Sequence, residues 1–111
     1  MAFQKERAEE VRDVFRQLQD NFKVGQINRS LMYNFLIDEE RWTVSVSPET
    51  LTVEENKQAP QADCTLEISR QIFLGAFNGD YRPSMMDLLT GKIKVNRPEM
   101  LFAFKDILGS F

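Results

Sequence analysis

Three pairs of adjacent carboxylates, Glu9-Glu10, Glu39-Glu40 and Glu54-Glu55, are the groups in this chain best able to exchange protons, and Cys64 is its one thiol. Neither type is arranged for catalysis. Adjacent acids on a polar helix face or in a turn point apart into water, whereas a hydrolytic dyad needs two carboxyls converging at ~5–9.5 Å across a substrate. Cys64 lies in the apolar alternation Ala62, Cys64, Leu66, Ile68, and the chain has no His to take its proton, so it reads as an inert buried thiol. The lack of His also removes the usual neutral metal ligand, and one Cys cannot complete a zinc-type set, so no metal or cofactor is expected. Thr90-Gly91-Lys92 has the form of the end of a phosphate loop, but the first Gly of such a loop falls at Met86, and a strand follows where a helix is required. The chemistry open to this chain is non-covalent.

What the sequence holds in quantity is apolar volume: nine Phe, five Met and a hydrophobic fraction of 42% in 111 residues, enough for one core and one domain, residues 1–111. The net charge of −3 and pI near 5.0 weigh against nucleic acid, whose affinity comes from clustered Lys and Arg. A mean hydropathy of −0.38 fits a globular domain. The longest apolar runs, 72–77 and 100–104, fall far short of the ~18–20 residues that span a bilayer, so no stable membrane insertion is expected. A charged N-terminus without an apolar leader, and a single Cys, lead us to expect a cytoplasmic protein.

The elements that must carry this apolar volume follow from its periodicity. Ala8, Val11, Phe15, Leu18 and Phe22 recur at helical spacing, predicting a helix over 3–22 that ends at Gly25 and docks on a core, its polar face holding five acids against four bases. Leu31 to Ile37, Trp42 to Val46 and Leu51 to Val53 alternate as strands of a meander, the first of them the more central. The stretch 62–97 then changes from period two to helical and back. Ala62 to Ile68 reads as a strand, Ser69 as the cap of a helix running to Asn78-Gly79, Pro83 to Leu89 as a shorter helix stopped at Gly91, and Lys92 to Asn96 as a returning strand. A strand that returns through helices usually lies parallel to the one it left. The fold class expected is therefore α+β: a five-stranded, mostly antiparallel sheet with one parallel helical crossover and helices over one face. Pro98 opens a last helix in which only Glu99, Lys105 and Asp106 are clearly polar, a wider apolar stripe than docking on one side needs.

The order Ala62-Asp63-Cys64-Thr65, a helix ending in Asn78-Gly79, a Pro-led helix ending in Thr90-Gly91, the strand Lys92-Ile93-Lys94-Val95 and a Leu/Phe-rich terminal helix resembles the sterol carrier protein family of nonspecific lipid-transfer domains. The resemblance implies an apolar tunnel between sheet and helices for fatty acyl chains, sterols or similar lipids, with the terminal helix at its mouth. It implies a noncatalytic protein, and the absence of a peroxisomal signal in Gly109-Ser110-Phe111 fits a bacterial cytosol. Taken from the inward faces of the elements, the candidate ligand lining is Phe35, Val44, Leu66, Phe73, Phe77, Met86, Leu89, Phe104 and Leu108. The same residues could instead only fill a core. A dry, rigid pocket of ~300–1,000 Å³ would cost roughly 7–24 kcal/mol in a domain stable by about 5–15 kcal/mol, so a ligand fills it or the terminal helix collapses onto it. The alternative is a structural module in which that helix is buried in a homodimer.

Overall fold

The period-two segments form a five-stranded sheet in the computed structural model, which describes residues 6–25 and 27–100. The elements in chain order are α1 (Val11–Asp20), β1 (Leu31–Ile37), β2 (Glu40–Val46), β3 (Leu51–Glu55), β4 (Cys64–Ile68), α2 (Arg70–Asn78), α3 (Met85–Leu89) and β5 (Ile93–Val95). The strands lie in the order β3-β2-β1-β4-β5, which puts β1 at the centre as expected. The α+β architecture has its helices on one face. Tyr33, Phe35 and Ile37, Trp42, Val44 and Val46, and Cys64, Leu66 and Ile68 are buried there with Val11, Val14, Phe15 and Leu18 of α1.

The sheet is mixed, but its parallel pair is not the one the sequence predicted. β4 and β5 run antiparallel, with Ile68 opposite Ile93 and Leu66 opposite Val95, so no helical crossover joins them. The parallel partner of β4 is β1, with Tyr33 opposite Cys64 and Ile37 opposite Ile68. The cause lies between the helices. Gly79 adopts φ +83° as the C-cap of α2, and the N–H groups of Asp80 and Tyr81 both reach the Gly75 carbonyl, reversing the chain. A Cβ on Gly75 would stand 3.0 Å from Tyr81 Cβ, a tighter approach than side chains ordinarily make, so this close return favours glycine there. α3 then brings the chain back to the end of β4 that it left. In α3 the Asp87 carboxylate accepts hydrogen bonds from the Tyr81 hydroxyl and, at 2.8 Å, from Ser84 N–H, locking the return in place.

The first helix begins at Val11 rather than before Ala8, because the chain ahead of it is held by side chains rather than by helical bonds. Asp13 accepts from the N–H groups of Glu9 and Glu10 at the helix start. Gln17 bonds both the N–H and the carbonyl of Glu6, at 2.8 and 2.9 Å. Asn78 does the same for Ala8, at 2.8 and 2.9 Å. Ala8 is therefore buried, as its place in the apolar stripe implied, but as part of a non-helical strap across α1 and α2.

The second face of the sheet also carries a buried polar clasp. Asn34 Nδ2 donates to the Ala59 carbonyl at 2.8 Å while its Oδ1 accepts from Ala59 N–H at 2.9 Å. Thr43 Oγ1 lies 2.9 Å from Asn34 Oδ1 and 2.8 Å from the Lys57 carbonyl, and its single hydrogen serves one of them at a time. Gln58 Nε2 donates to the carbonyls of Phe35 and Trp42. The loop after β3 is thus fastened over a face that strand alternation alone would leave to solvent.

Two outcomes follow from these contacts. Asn78→Ala removes both bonds to Ala8 and should cost about 1–3 kcal/mol, read as a lower urea midpoint of Trp42 fluorescence, with faster hydrogen exchange at the Ala8 amide. An unchanged midpoint would show the strap to be held elsewhere. The lock on α3 makes a pH-dependent contribution, because the Tyr81 hydroxyl and then Ser84 hold the Asp87 carboxyl below its usual value and so favour its ionised form. That stability is complete above the ordinary Asp value of about 3.9 and is lost as pH falls through the lowered folded value. Asp87→Asn should melt below the unsubstituted protein at neutral pH, with the gap closing towards about pH 2. A constant gap in thermal melts across that range would exclude the carboxylate as its cause.

Candidate functional site

The nine residues expected to line a lipid site occupy three different environments. Phe35, Val44 and Leu66 come from β1, β2 and β4 and form the floor beneath the helices, all of them buried. Phe73 and Phe77 come from α2; Phe77 is buried and Phe73 is half-buried against the core. Met86 and Leu89 lie on α3 and are 62% and 76% exposed. Phe104 and Leu108 lie outside the described residues. Floor and wall are therefore brought together, and the α3 pair stands apart from them at the surface.

The floor and wall meet through rings. Phe15 of α1 lies 5.3 Å from Phe35 in an edge-on arrangement, 4.8 Å from Trp42 and 5.6 Å from Phe73. Phe35 and Phe73 are themselves 6.0 Å apart at 67°. These distances are those of favourable offset and edge-to-face pairs. Phe35 and Phe73 thus take part in core packing, and any ligand beside them shares these rings with Phe15. The sequence marked Phe15 and Trp42 as inward-facing without showing that they would converge on the same two phenylalanines, since that depends on how α1 crosses the sheet. The Trp42 indole N–H is buried with no hydrogen-bond partner among the described residues.

The way into the last helix is pinned to the sheet. The Tyr33 hydroxyl, on a side chain only 1% exposed, donates to the Met100 carbonyl at 3.0 Å, and Met100 is itself buried. Thr65 N–H donates to Asn96 Oδ1 at 2.8 Å, and the Cys64 thiol approaches the Arg97 carbonyl at 3.7 Å. Burial pushes the Cys64 thiol above its usual pKa, which keeps it protonated and unreactive. The sequence reading did not single out Tyr33 for this contact. Its signal was present, because a phenol on the inward face beside Phe35 must find an acceptor, and the acceptor lies 67 residues downstream.

A separate groove of about 780 Å³ runs along α2, bounded by Arg7, Arg70, Asp80, Tyr81 and Lys92 among others, and none of the seven expected residues that are described lines it. Its ends are crossed by the Arg7–Asp80 ion pair at 2.7 Å and by Arg70 donating to the Glu9 carbonyl. Among the described residues no three His, Cys, Asp or Glu side chains cluster as metal ligands. No described helix is long and apolar enough to cross a membrane.

Comparison with known proteins agrees with this geometry. No curated protein matches the sequence itself. Among solved structures, a double mutant of the sec-alkyl sulfatase PisA1, an enzyme from Pseudomonas sp., superposes with a TM-score of 0.81 at 16% identity, over 95% of this chain and 17% of that one. The chain thus spans about a sixth of that enzyme's length. Apo sterol carrier protein 2 from Yarrowia lipolytica gives 0.58 at 18% identity over 93% of this chain and 98% of its own. Palmitated SCP2L2 from Aedes aegypti gives 0.54 at 16% identity over 89% and 93%. At these identities the likeness is one of fold. The family model of SCP-2 sterol transfer matches residues 6–100, most of the sequence, and with the mixed sheet and its helical cover this places the chain in the SCP-2 sterol transfer family.

Proposed function

We propose that the domain binds and transfers lipids or similar apolar small molecules without catalysis, seating them on the floor of Phe35, Val44 and Leu66 beside Phe73 and Phe77 of α2. Met86 and Leu89 stand at the open side, and Phe104 and Leu108 would complete the lining. The observation that carries this reading is the family match over residues 6–100, supported by the apolar floor and wall that the sheet and α2 bring together. The Aedes aegypti neighbour, with the same fold, is palmitated, which makes a fatty acid the natural first probe.

Binding of this kind draws on the removal of methylenes from water, worth about 0.8 kcal/mol each. Shortening a saturated fatty acid by two methylenes should therefore weaken it about tenfold, measured by displacement of a fluorescent fatty acid. A flat dependence on chain length would overturn an enclosed apolar site. Native mass spectrometry should show lipid carried on a monomer. A ligand-free dimer that takes up no fatty acid would instead establish the structural reading, which the small share of the alkylsulfatase covered by this fold makes the specific competitor.

Deleting residues 101–111 tests the part assigned to the terminal helix. Met100 and its bond to Tyr33 are kept, because Met100 belongs to the core. Fatty-acid binding should be lost while Trp42 fluorescence still reports cooperative unfolding. Retained binding would remove Phe104 and Leu108 from the site.

A further inference from the structure

The apolar floor contains one polar atom that the described residues leave unused. Trp42 lies on the inward face of β2, opposite Phe35 of β1 and two residues before Val44, so its indole belongs to the same surface as the lining assigned above. The side chain is 3% exposed, and among the described residues its Nε1 is the one buried side-chain nitrogen or oxygen without a hydrogen-bond partner. Buried polar groups in native proteins are nearly always paired. The other buried donors here are engaged: Tyr33 with the Met100 carbonyl, Gln17 with Glu6, and Asn34 and Thr43 with each other and with the loop after β3. An indole nitrogen can only donate. What is missing beside Trp42 is therefore an acceptor.

The donor is also held still. Phe15 packs on the indole at 4.8 Å, the Trp42 backbone is paired with β1 and β3, and Gln58 donates to its carbonyl. Turning the ring out to reach water would undo the Phe15 contact that ties α1 to the sheet. A donor fixed in this way loses little conformational freedom when an acceptor arrives. The charge of that acceptor follows from the surroundings. No Lys or Arg is among the described residues that are buried. An ionised carboxylate or phosphate against the indole would be buried without a counter-charge, a penalty larger than one N–H bond offsets. A neutral oxygen carries no such penalty.

We propose that Trp42 Nε1–H is the polar anchor of the lipid site, donating to a neutral oxygen of the bound molecule, so that the site selects apolar chains bearing a hydroxyl, ketone or ester oxygen. The proposal rests on the lipid-binding reading of the floor and wall, and adds to it which residue recognises the ligand and which way round the ligand lies. Helix α3 packs beside β5, three strands from β2 and so about 14 Å away across the sheet. A long-chain alcohol then lies with its oxygen at β2 and its tail towards α3. A fatty acid lies the other way, its carboxylate at the open side and its methyl end near the indole, where the N–H stays unpaired. The indole thus discriminates by the kind of oxygen a chain carries, which an apolar surface alone does not do.

The chain has a single Trp, so the indole N–H of the full, 15N-labelled protein gives one side-chain signal that can be followed directly by NMR. Adding 1-dodecanol should move that signal downfield and slow its exchange with water. Neither 1-dodecanethiol, of the same shape but with a sulfur that accepts only weakly, nor ionised dodecanoate should do so. In displacement of a fluorescent fatty acid, Trp42→Phe should weaken 1-dodecanol about tenfold and leave the thiol and dodecanoate unchanged, while circular dichroism still reports cooperative unfolding. If neither dodecanol nor dodecanoate displaces the probe, the lipid site is refuted and this proposal with it. If both displace it but the indole signal does not move, or Trp42→Phe weakens all three ligands alike, the lipid site stands and the anchor is overturned. A resident water in contact with the indole proton both before and after dodecanol binds would overturn it as well.

Discussion

The packing of Phe15 against three other rings is the contact on which the rest of this domain depends. Phe35 and Trp42 lie on β1 and β2, Phe73 on α2, and Phe15 on α1, so one cluster ties both larger helices to the two most central antiparallel strands. Withdrawing a ring of this size from water and seating it edge-on to its neighbours is among the largest single gains a small core can make. The cluster also fixes where α1 crosses the sheet. With α1 set, Gln17 can reach back to Glu6, and the strap to Asn78 runs on from there. Among the described residues the buried Trp42 indole N–H has no hydrogen-bond partner, so what holds this ring is its packing.

Much of this was legible in the sequence because period two and period 3.6 are written into single residues. The alternation of Leu31 to Ile37, the Ser69 cap accepting from Ile72 N–H and the left-handed Gly79 and Gly91 all came out where local rules put them. What could not be read was set by partners far along the chain. Asn34 looks like a solvent-facing strand residue until Ala59 is known to lie over it, and Asn78 like a helix terminus until Ala8 is. The direction of β5 depended on a six-residue return at 79–84 held by the Gly75 carbonyl, which no periodicity reports. The start of α1 was misplaced for a related reason: Ala8 is buried like a helical residue but within a non-helical segment.

The candidate site shows the same division. Phe35, Val44, Leu66, Phe73 and Phe77 were chosen for facing inward, and they do. Met86 and Leu89 were chosen by the same rule and face outward, because α3 is oriented by its carboxylate rather than by its apolar side chains. Hydrophobic patterning predicts orientation only while burial of apolar area is the largest contribution. On a helix of five residues, two hydrogen bonds to a buried carboxylate outweigh it.

The strap at Ala8 has a consequence for how the molecule assembles. Its two bonds to Asn78 join residues 70 apart, across a chain whose meander of β1, β2 and β3 closes through short turns. Loop-closure entropy favours forming the meander early, and the strap has no acceptor or donor until α2 is folded on the sheet. An interaction completed that late is largely absent from the folding transition state. It leaves the folding rate almost unchanged and slows unfolding, so the N-terminal segment serves the domain as a latch on its lifetime more than as a guide to its fold.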